Sequence, residues 1–241
     1  MKKYNLIVIG AGSGGLVASY IAATLKARVA LIEKDKMGGD CLNTGCVPSK
    51  AFIRSAKVVA YTQKASKYGL KSLRAEFEFS DIMDRVQKVI QRIEPHDSIE
   101  RYTKLGVDCY QGEAKLISPH KVQINHEVLW GKAIILATGA EPFVPPFPGL
   151  EHISYLTSDN LWNLRQLPQR LLVLGGGPIG CELAQSFQRL GSQVTLVERS
   201  PRIMSKEDPD TSSIIQKTFL KEGINLLTEH SAIKFKTHHH Q

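Results

Sequence analysis

The chain is poor in cysteine and tryptophan, short of acidic residues, and without a long apolar run. Each shortage excludes something. Four cysteines in 241 residues are too few for a disulfide-stapled scaffold and suit a reducing cytoplasm. No uninterrupted stretch of about 18 apolar residues occurs, so no transmembrane helix is expected. Lys2-Lys3 and the apolar stretch behind them mimic a signal peptide, but the glycines from Gly10 to Gly15 break that stretch early. No low-complexity tract is present. Acids number 23 against 31 lysines and arginines, a net charge of +8. Such an excess raises nucleic acid as a partner. The cations, however, are scattered over 50–74 and 85–104 without interleaved aromatics, and no nucleic-acid fold signature accompanies them. A solvated basic surface that draws nucleotide phosphates is the simpler reading, so neither nucleic acid nor membrane is expected as a partner.

Glycine is placed where chemistry needs it. Leu6–Ile9 is a short apolar run that reads as a buried parallel strand. Gly10-Ala-Gly12-Ser13-Gly14-Gly15 follows directly, then an apolar-periodic helix to about Leu25. A second apolar run, Val29–Ile32, ends at Glu33 and Lys34. This strand–glycine turn–helix–strand–acid unit binds dinucleotides. Gly10 makes the tight turn, Gly12 lets the backbone approach the pyrophosphate, and Gly15 allows close helix–strand packing. Glu33 accepts from ribose hydroxyls, and the helix N-terminus faces the phosphates. The pattern recurs. Leu171–Leu174 leads into Gly175-Gly-Gly177-Pro178-Ile179-Gly180, a helix from Pro178 to Leu190 stopped by Gly191, and a run Val194–Val197 ending at Glu198 and Arg199. First glycine and acid are 23 residues apart in both units.

Between them lies Gly38-Gly39-Asp40-Cys41-Leu-Asn-Thr-Gly45-Cys46-Val-Pro48-Ser-Lys50. On a regular helix, Cα atoms five apart are roughly 8.6 Å distant, beyond the roughly 4.4–6.8 Å that a disulfide spans. Gly38, Gly39 and Gly45 supply the irregular backbone that closing the pair requires. Pro48 suits the first turn of a helix starting around Cys46, whose N-terminal partial charge favours an anionic sulfur there. A bare C-x4-C is more often two structural cysteines or half a metal site; the flanking residues turn the reading to a redox-active dithiol. Two dinucleotides around one dithiol imply nicotinamide, flavin and disulfide as successive electron carriers. Cys109 and Cys181 stand in apolar contexts and read as core thiols.

These motifs, with Gly112-Glu-Ala114 and Ala137-Thr138-Gly139, resemble the class I pyridine nucleotide–disulfide oxidoreductases, which include dihydrolipoamide dehydrogenase, glutathione reductase and mercuric reductase. The resemblance covers the whole chain. It implies an α/β fold of two tandem, three-layer Rossmann-like domains: residues 1–146 holding FAD and the redox disulfide, and 147–241, incomplete, holding NAD, with NADP the alternative. It implies that Cys46 sits against the flavin and that Cys41 attacks the substrate. Lys50 and Glu182 match a lysine and a glutamate near the flavin's reactive nitrogen. Asp40 departs from the pattern, since many members carry there a threonine that contacts the FAD pyrophosphate. The implied substrate is a small-molecule or protein-bound disulfide or dithiol, as in dihydrolipoamide dehydrogenase, or else mercuric ion. The third reading is a flavin-binding fragment without turnover.

Relatives run to about twice this length and carry a C-terminal dimerisation domain, so the chain reads as an N-terminal half. A homodimer is expected only of a full-length relative. That domain supplies the partner subunit with a His-x-x-x-x-Glu pair, and no histidine here has a glutamate five residues on. His238–His240 reads as a chance run, and no metal site is expected. Elsewhere, residues 47–66 read as a helix. Ser80 starts a long helix to about Leu105 that Pro95 interrupts, and 107–129 reads as short antiparallel strands. Ala133–Leu136 returns to the sheet. The proline-dense 141–149 marks the domain boundary, and new strands begin at Gly223 and Ala232.

Overall fold

Two apolar runs separated by one helix make the first structural nucleus. A computed structural model describes residues 1–71 and 73–237. Packing gathers them into two units that interleave along the chain: Met1–Pro48 with Gln87–Pro142, and Ser49–Val86 with the residues from Phe143 onward. Along the chain come β1 (Lys2–Ile9), α1 (Ser13–Thr24), β2 (Val29–Glu33), the short α2 (Gly39–Asn43), α3 (Cys46–Gln63), α4 (Phe79–Ile93) and α5 (Ile99–Lys104). They are followed by β3 (Val107–Gln111), β4 (Ala114–Ser118), β5 (Lys121–Ile124) and β6 (Glu127–Leu136).

The first sheet has the order β3-β2-β1-β6-β5-β4. β3, β2, β1 and β6 run parallel, and β5 and β4 add antiparallel to β6. Alternate residues of a strand face opposite sides, and both sides are filled here. Val8, Val29 and Leu31 pack with Leu16, Ala23, Tyr102 and Val107. Ile7, Ala30 and Ile32 pack with Tyr4, Val122, Ile124 and Leu129. Double coverage is why β1 and β2 read as continuous apolar runs. Each valine, leucine or isoleucine among them, fully buried, stabilises by about 1.5–3 kcal/mol.

Two expectations change and one is extended. Val107–Gln111 is a parallel partner of β2, because its apolar residues complete a core that local alternation does not reveal. Ala133–Leu136 does return to the sheet, as the end of a ten-residue strand whose start pairs antiparallel with β5 while Leu129–Leu136 runs beside β1. The helix expected from Ser80 begins one residue earlier, at Phe79, and ends at Ile93. A 3-10 turn over Glu94–Asp97 contains Pro95, and Ser98 then caps α5 by accepting from the backbone N–H of Arg101 at 3.3 Å.

The second sheet is β7 (Arg170–Leu174), β8 (Gln193–Glu198) and β9 (Asn225–Thr228), all parallel, in the order β7-β8-β9. α6 (Pro178–Leu190) and α7 (Pro209–Lys221) connect them, and Gly191 ends α6 in the left-handed region at φ +113°. Residues 232–235 form no strand; Phe235 instead donates its N–H to the carbonyl of Pro148. All of α3 after Pro48 and the first half of α4, to Val86, group with this second unit. The physical reason is an aromatic cluster: Phe52 lies 5.0 Å from Phe187, and 6.2 Å from both Phe79 and Trp162, between ring centroids. Glu222 adds a polar clamp. It accepts from Arg189 at 2.8 and 2.9 Å, Lys64 at 3.1 Å and Gln185 at 3.0 Å. No helix among the described residues is long and apolar enough to cross a membrane.

Candidate functional site

The two glycine turns share one backbone build. Gly10 lies at φ +102° and Gly175 at +103°, a region open to glycine. Gly10 donates to the carbonyl of Ile32 and Gly175 to that of Val197, at 2.8 and 2.9 Å. A Cβ on Gly15 would lie 1.8 Å from the carbonyl oxygen of Gly10. One on Gly180 would lie 2.0 Å from that of Gly175. Both third glycines are therefore dictated by backbone contact. Gly12 and Gly177 are the N-caps of α1 and α6, with nearly identical dihedrals and no side-chain cap. Ser13 with Gly14, and Pro178 with Ile179, fill the respective first turns. Helices that begin this way present their unsatisfied N–H groups to an anion.

The acids hold the turns. Glu33 accepts from the backbone N–H of Ala11 at 2.6 Å and of Asp35 at 2.8 Å. Glu198 accepts from those of Gly176 and Ser200, both at 2.7 Å. Burial pushes the Glu198 carboxyl up, and the N–H donors with the charge of Arg199 outweigh it, leaving it below the usual range. Lys34 and Arg199 are exposed beside their acids. Arg202 is tied to its own loop, donating to the carbonyls of Ser205 and Glu207. A Cβ on Gly176 would meet the buried Ile203 at 2.6 Å. Sequence reading gave that glycine no role. Its first-unit counterpart is Ala11, fully buried in the core, and the difference between the two fingerprints was the available signal.

The cysteine segment is anchored to the first turn by backbone contact. Gly38 donates to the carbonyl of Ala11 at 2.9 Å. Gly39 has φ +52°, and a Cβ there would lie 2.6 Å from the Cα of Gly12. α2 ends at Asn43, before the second cysteine, and α3 starts at Cys46. The backbone N–H groups of Thr44 and Gly45 both donate to the carbonyl of Asp40. A Cβ on Gly45 would lie 2.9 Å from that oxygen. The helix thus breaks between the cysteines, as the spacing demands. Cys41 is half-buried and Cys46 exposed at the first position of α3. Lys50 follows on α3 and Glu182 lies one turn into α6, both exposed; they belong to the second unit.

The end of β6 completes the first site. Ala137 donates to the carbonyl of Ile9 at 2.8 Å. A Cβ on Gly10 would lie 2.2 Å from the oxygen of Ala137 and 3.2 Å from the nitrogen of Thr138. Gly139 turns at φ +70° with the Asp40 carboxylate close by. Gly112, which donates to the carbonyl of Glu33 at 2.8 Å, brings the start of β4 at Ala114 to the end of β2. The other cysteines are core groups. Burial pushes the Cys109 thiol up, and the Cys181 thiol to about 11; the latter donates to the carbonyl of Gly176.

The described histidines lie elsewhere. His120 stacks on Trp130 and bonds the carbonyl of Gly131, His152 faces Glu151, and His230 bonds the carbonyl of Thr228. His238–His240 lies outside the described residues.

The residues fit dinucleotides on two counts: both helix N-termini lack side-chain caps, and the N-cap glycines Gly12 and Gly177 leave open the space a Cβ would take. Comparisons with known proteins agree. The chain is 34% identical over 225 residues to mercuric reductase from Lysinibacillus sphaericus, covering 93% of this chain and 41% of that protein. It is 37% identical over 242 residues to dihydrolipoyl dehydrogenase from Acholeplasma laidlawii, covering 98% and 72%. In structure it is similar to a Cu(II) complex of a cysteine-to-serine mutant of the HOCl-induced flavoprotein disulfide reductase RclA from Escherichia coli. That match has a TM-score of 0.84 at 27% identity, over 99% of this chain and 52% of the other. The chain spans about half the length of most of these proteins. The profile of the pyridine nucleotide-disulphide oxidoreductases matches residues 4–241, and the chain belongs to that family.

Proposed function

We propose that the chain carries two tandem dinucleotide sites and a redox pair, and passes electrons between NAD(P)H and a disulfide in the manner of dihydrolipoyl dehydrogenase. The observation that carries this reading is the contact of Gly39 with Gly12, which seats the cysteine segment on the first dinucleotide turn. In this reading FAD is held by Gly10, Gly12, Gly15, Glu33 and the 137–139 turn. NAD is held by Gly175, Gly177, Gly180 and Glu198. When bound, the flavin supplies the two-electron relay between nicotinamide and the cysteine pair. Lys50 and Glu182 are assigned to the flavin's surroundings by family resemblance, a homodimer to the whole protein on the same footing, and a reducing cytoplasm from the small number of cysteines.

The cysteines do the exchange chemistry. As the reduced pair, the Cys41 thiolate attacks one sulfur of an acceptor disulfide and releases the first thiol. Cys46 then attacks the Cys41 sulfur, closes Cys41–Cys46 and releases the second thiol. Two electrons leave the pair, and each departing thiolate takes one proton. The described histidines are bonded to backbone carbonyls, paired with Glu151 or solvated, which supports weak turnover, since exchange needs a proton donor. A second reading, with mercuric ion as acceptor, is supported by the 34% identity to mercuric reductases.

The test counts thiols. With FAD and NADH present, alkylation followed by mass measurement is expected to tag Cys41 and Cys46 together. Without NADH, after air oxidation, it tags neither. Gly12→Val, which places a branched side chain at the N-cap, is expected to lose flavin on gel filtration and NADH-dependent tagging with it. Full flavin retention by Gly12→Val would overturn the site assignment.

A further inference from the structure

Three backbone turns meet at the N-terminus of α1. The first is the fingerprint itself, whose N-cap Gly12 makes no side-chain cap. The second enters α2, where Gly39 lies against the Cα of Gly12. The third is the end of β6, where Ala137 and Thr138 abut Gly10. Asp40 links the second to the third. It is the residue after Gly39, and its Oδ2 stands 3.9 Å from where a Cβ on Gly139 would lie; beyond Gly139 and its chain neighbours, no other atom comes within 4 Å of that point. The carboxylate is exposed and is set over the open space of the 137–139 turn.

We propose that Asp40 is a built-in electrostatic competitor of the cofactor's diphosphate, lowering flavin affinity and making it dependent on ionic strength. This rests on the reading above that the α1 N-terminus takes that diphosphate. A carboxylate beside a helix N-terminus is favoured by the partial positive charge there. Asp40 lies in the first turn of α2, and a diphosphate that comes to the α1 N-terminus, against which Gly39 packs, bears its repulsion. Unit charges about 6 Å apart in a water-like dielectric repel by an amount equal to roughly threefold in affinity. With up to two phosphate charges engaged, the effect is roughly three- to tenfold. The repulsion is screened as the Debye length shrinks from about 10 Å at 0.1 M salt to about 3 Å at 1 M.

The test compares FAD dissociation constants of the wild-type chain, Asp40→Asn and Asp40→Ala by flavin-fluorescence titration at low and high salt. Riboflavin, which lacks the diphosphate, is run alongside. Both variants are expected to bind FAD roughly three- to tenfold more tightly at low salt, to lose that advantage at high salt, and to bind riboflavin as the wild type does. An Asp40→Asn affinity equal to or weaker than wild type at low salt overturns the proposal. So does an equal gain for riboflavin. Asp40→Ala guards against a new hydrogen bond made by the amide. Gly12→Val separates this failure from failure of the underlying site: if Gly12→Val abolishes FAD binding while Asp40→Asn changes nothing, Asp40 alone has been misassigned. If FAD binding survives Gly12→Val, or the wild type takes up no FAD, the site and the proposal fall together.

Discussion

Replacing Gly39 with alanine is expected to lift the cysteine segment off the first dinucleotide turn while leaving the sheet standing. Two costs combine. At φ +52° the backbone is left-handed, which costs an alanine about 1–2 kcal/mol. The new Cβ would also lie 2.6 Å from the Cα of Gly12, where non-bonded carbons rest about 3.5–4.0 Å apart. The entry to α2 must therefore retreat by about 1 Å. Both partners are backbone, so no side-chain rotation relieves the clash. Overpacking of this kind costs about 1–3 kcal/mol, for a total of about 2–5 kcal/mol. α2 has only five residues, so part of the strain is released by displacement. The loss in unfolding free energy is then expected near the lower figure, with the remainder appearing as lost flavin and faster alkylation of the half-buried Cys41. Gly106→Ala is the control in the same unit: φ is +88°, with nothing within 4 Å of a Cβ. It carries the left-handed cost alone. Urea unfolding and flavin retention after gel filtration measure both variants. A Gly39→Ala protein within about 0.5 kcal/mol of Gly106→Ala, with its flavin intact, would refute the claim that this contact seats the segment.

Glu222→Gln is expected to destabilise the second unit by about 1–3 kcal/mol, discounted from a fully buried pair because Lys64 is partly solvated. Burial pushes the Glu222 carboxyl up, but the hydrogen bonds and charges of Arg189 and Lys64 outweigh it and hold the group below its ordinary range. Its stabilisation is therefore complete above the unfolded carboxyl's pKa of about 4.3 and fades as pH falls through the lower folded value. Thermal melts between neutral and acid pH should show that acid slope in the wild type and a flatter one in Glu222→Gln; equal slopes would remove Glu222 from the account. For the second nucleotide, NADH is expected to bind more tightly than NADPH, because Glu198 accepts from a free ribose hydroxyl and repels a 2′-phosphate. Glu198→Ala also deprives Gly176 and Ser200 of their acceptor, so NADH binding should weaken roughly tenfold or more and the preference narrow. Tighter NADPH binding in the wild type that survives Glu198→Ala would defeat this assignment.

Much of both fingerprints is legible in the residues. Gly10, Gly15, Gly175 and Gly180 answer demands set within a few residues of themselves or by the adjoining strand. The Glu33 and Glu198 hydrogen bonds follow from a fixed spacing of 23 residues. The break between Cys41 and Cys46 is equally local: Gly45 packs on the carbonyl of Asp40, five residues back. Less legible is the place of Val107–Gln111, whose alternation reads as an antiparallel hairpin strand and whose partner, β2, lies more than seventy residues upstream. The helix start near Ser80 illustrates the other limit, since Phe79 becomes helical because its ring is needed in the cluster around Phe52.

The sequence by itself determined the two strand–glycine–helix–strand–acid units, the interrupted helix at Pro95 and the irregular backbone between the cysteines. Each depends on φ, on a missing N–H, or on a contact within one supersecondary unit. Tertiary structure alone decided that Gly39 meets Gly12 and that Asp40 overlooks the Gly139 turn. It also decided that Gly10 is hemmed in by Ala137 and that α3 and α4 share a core with α6. Those facts depend on which distant segments share a sheet or a core, and burial of apolar surface, being non-directional, names no partner until the whole chain is packed.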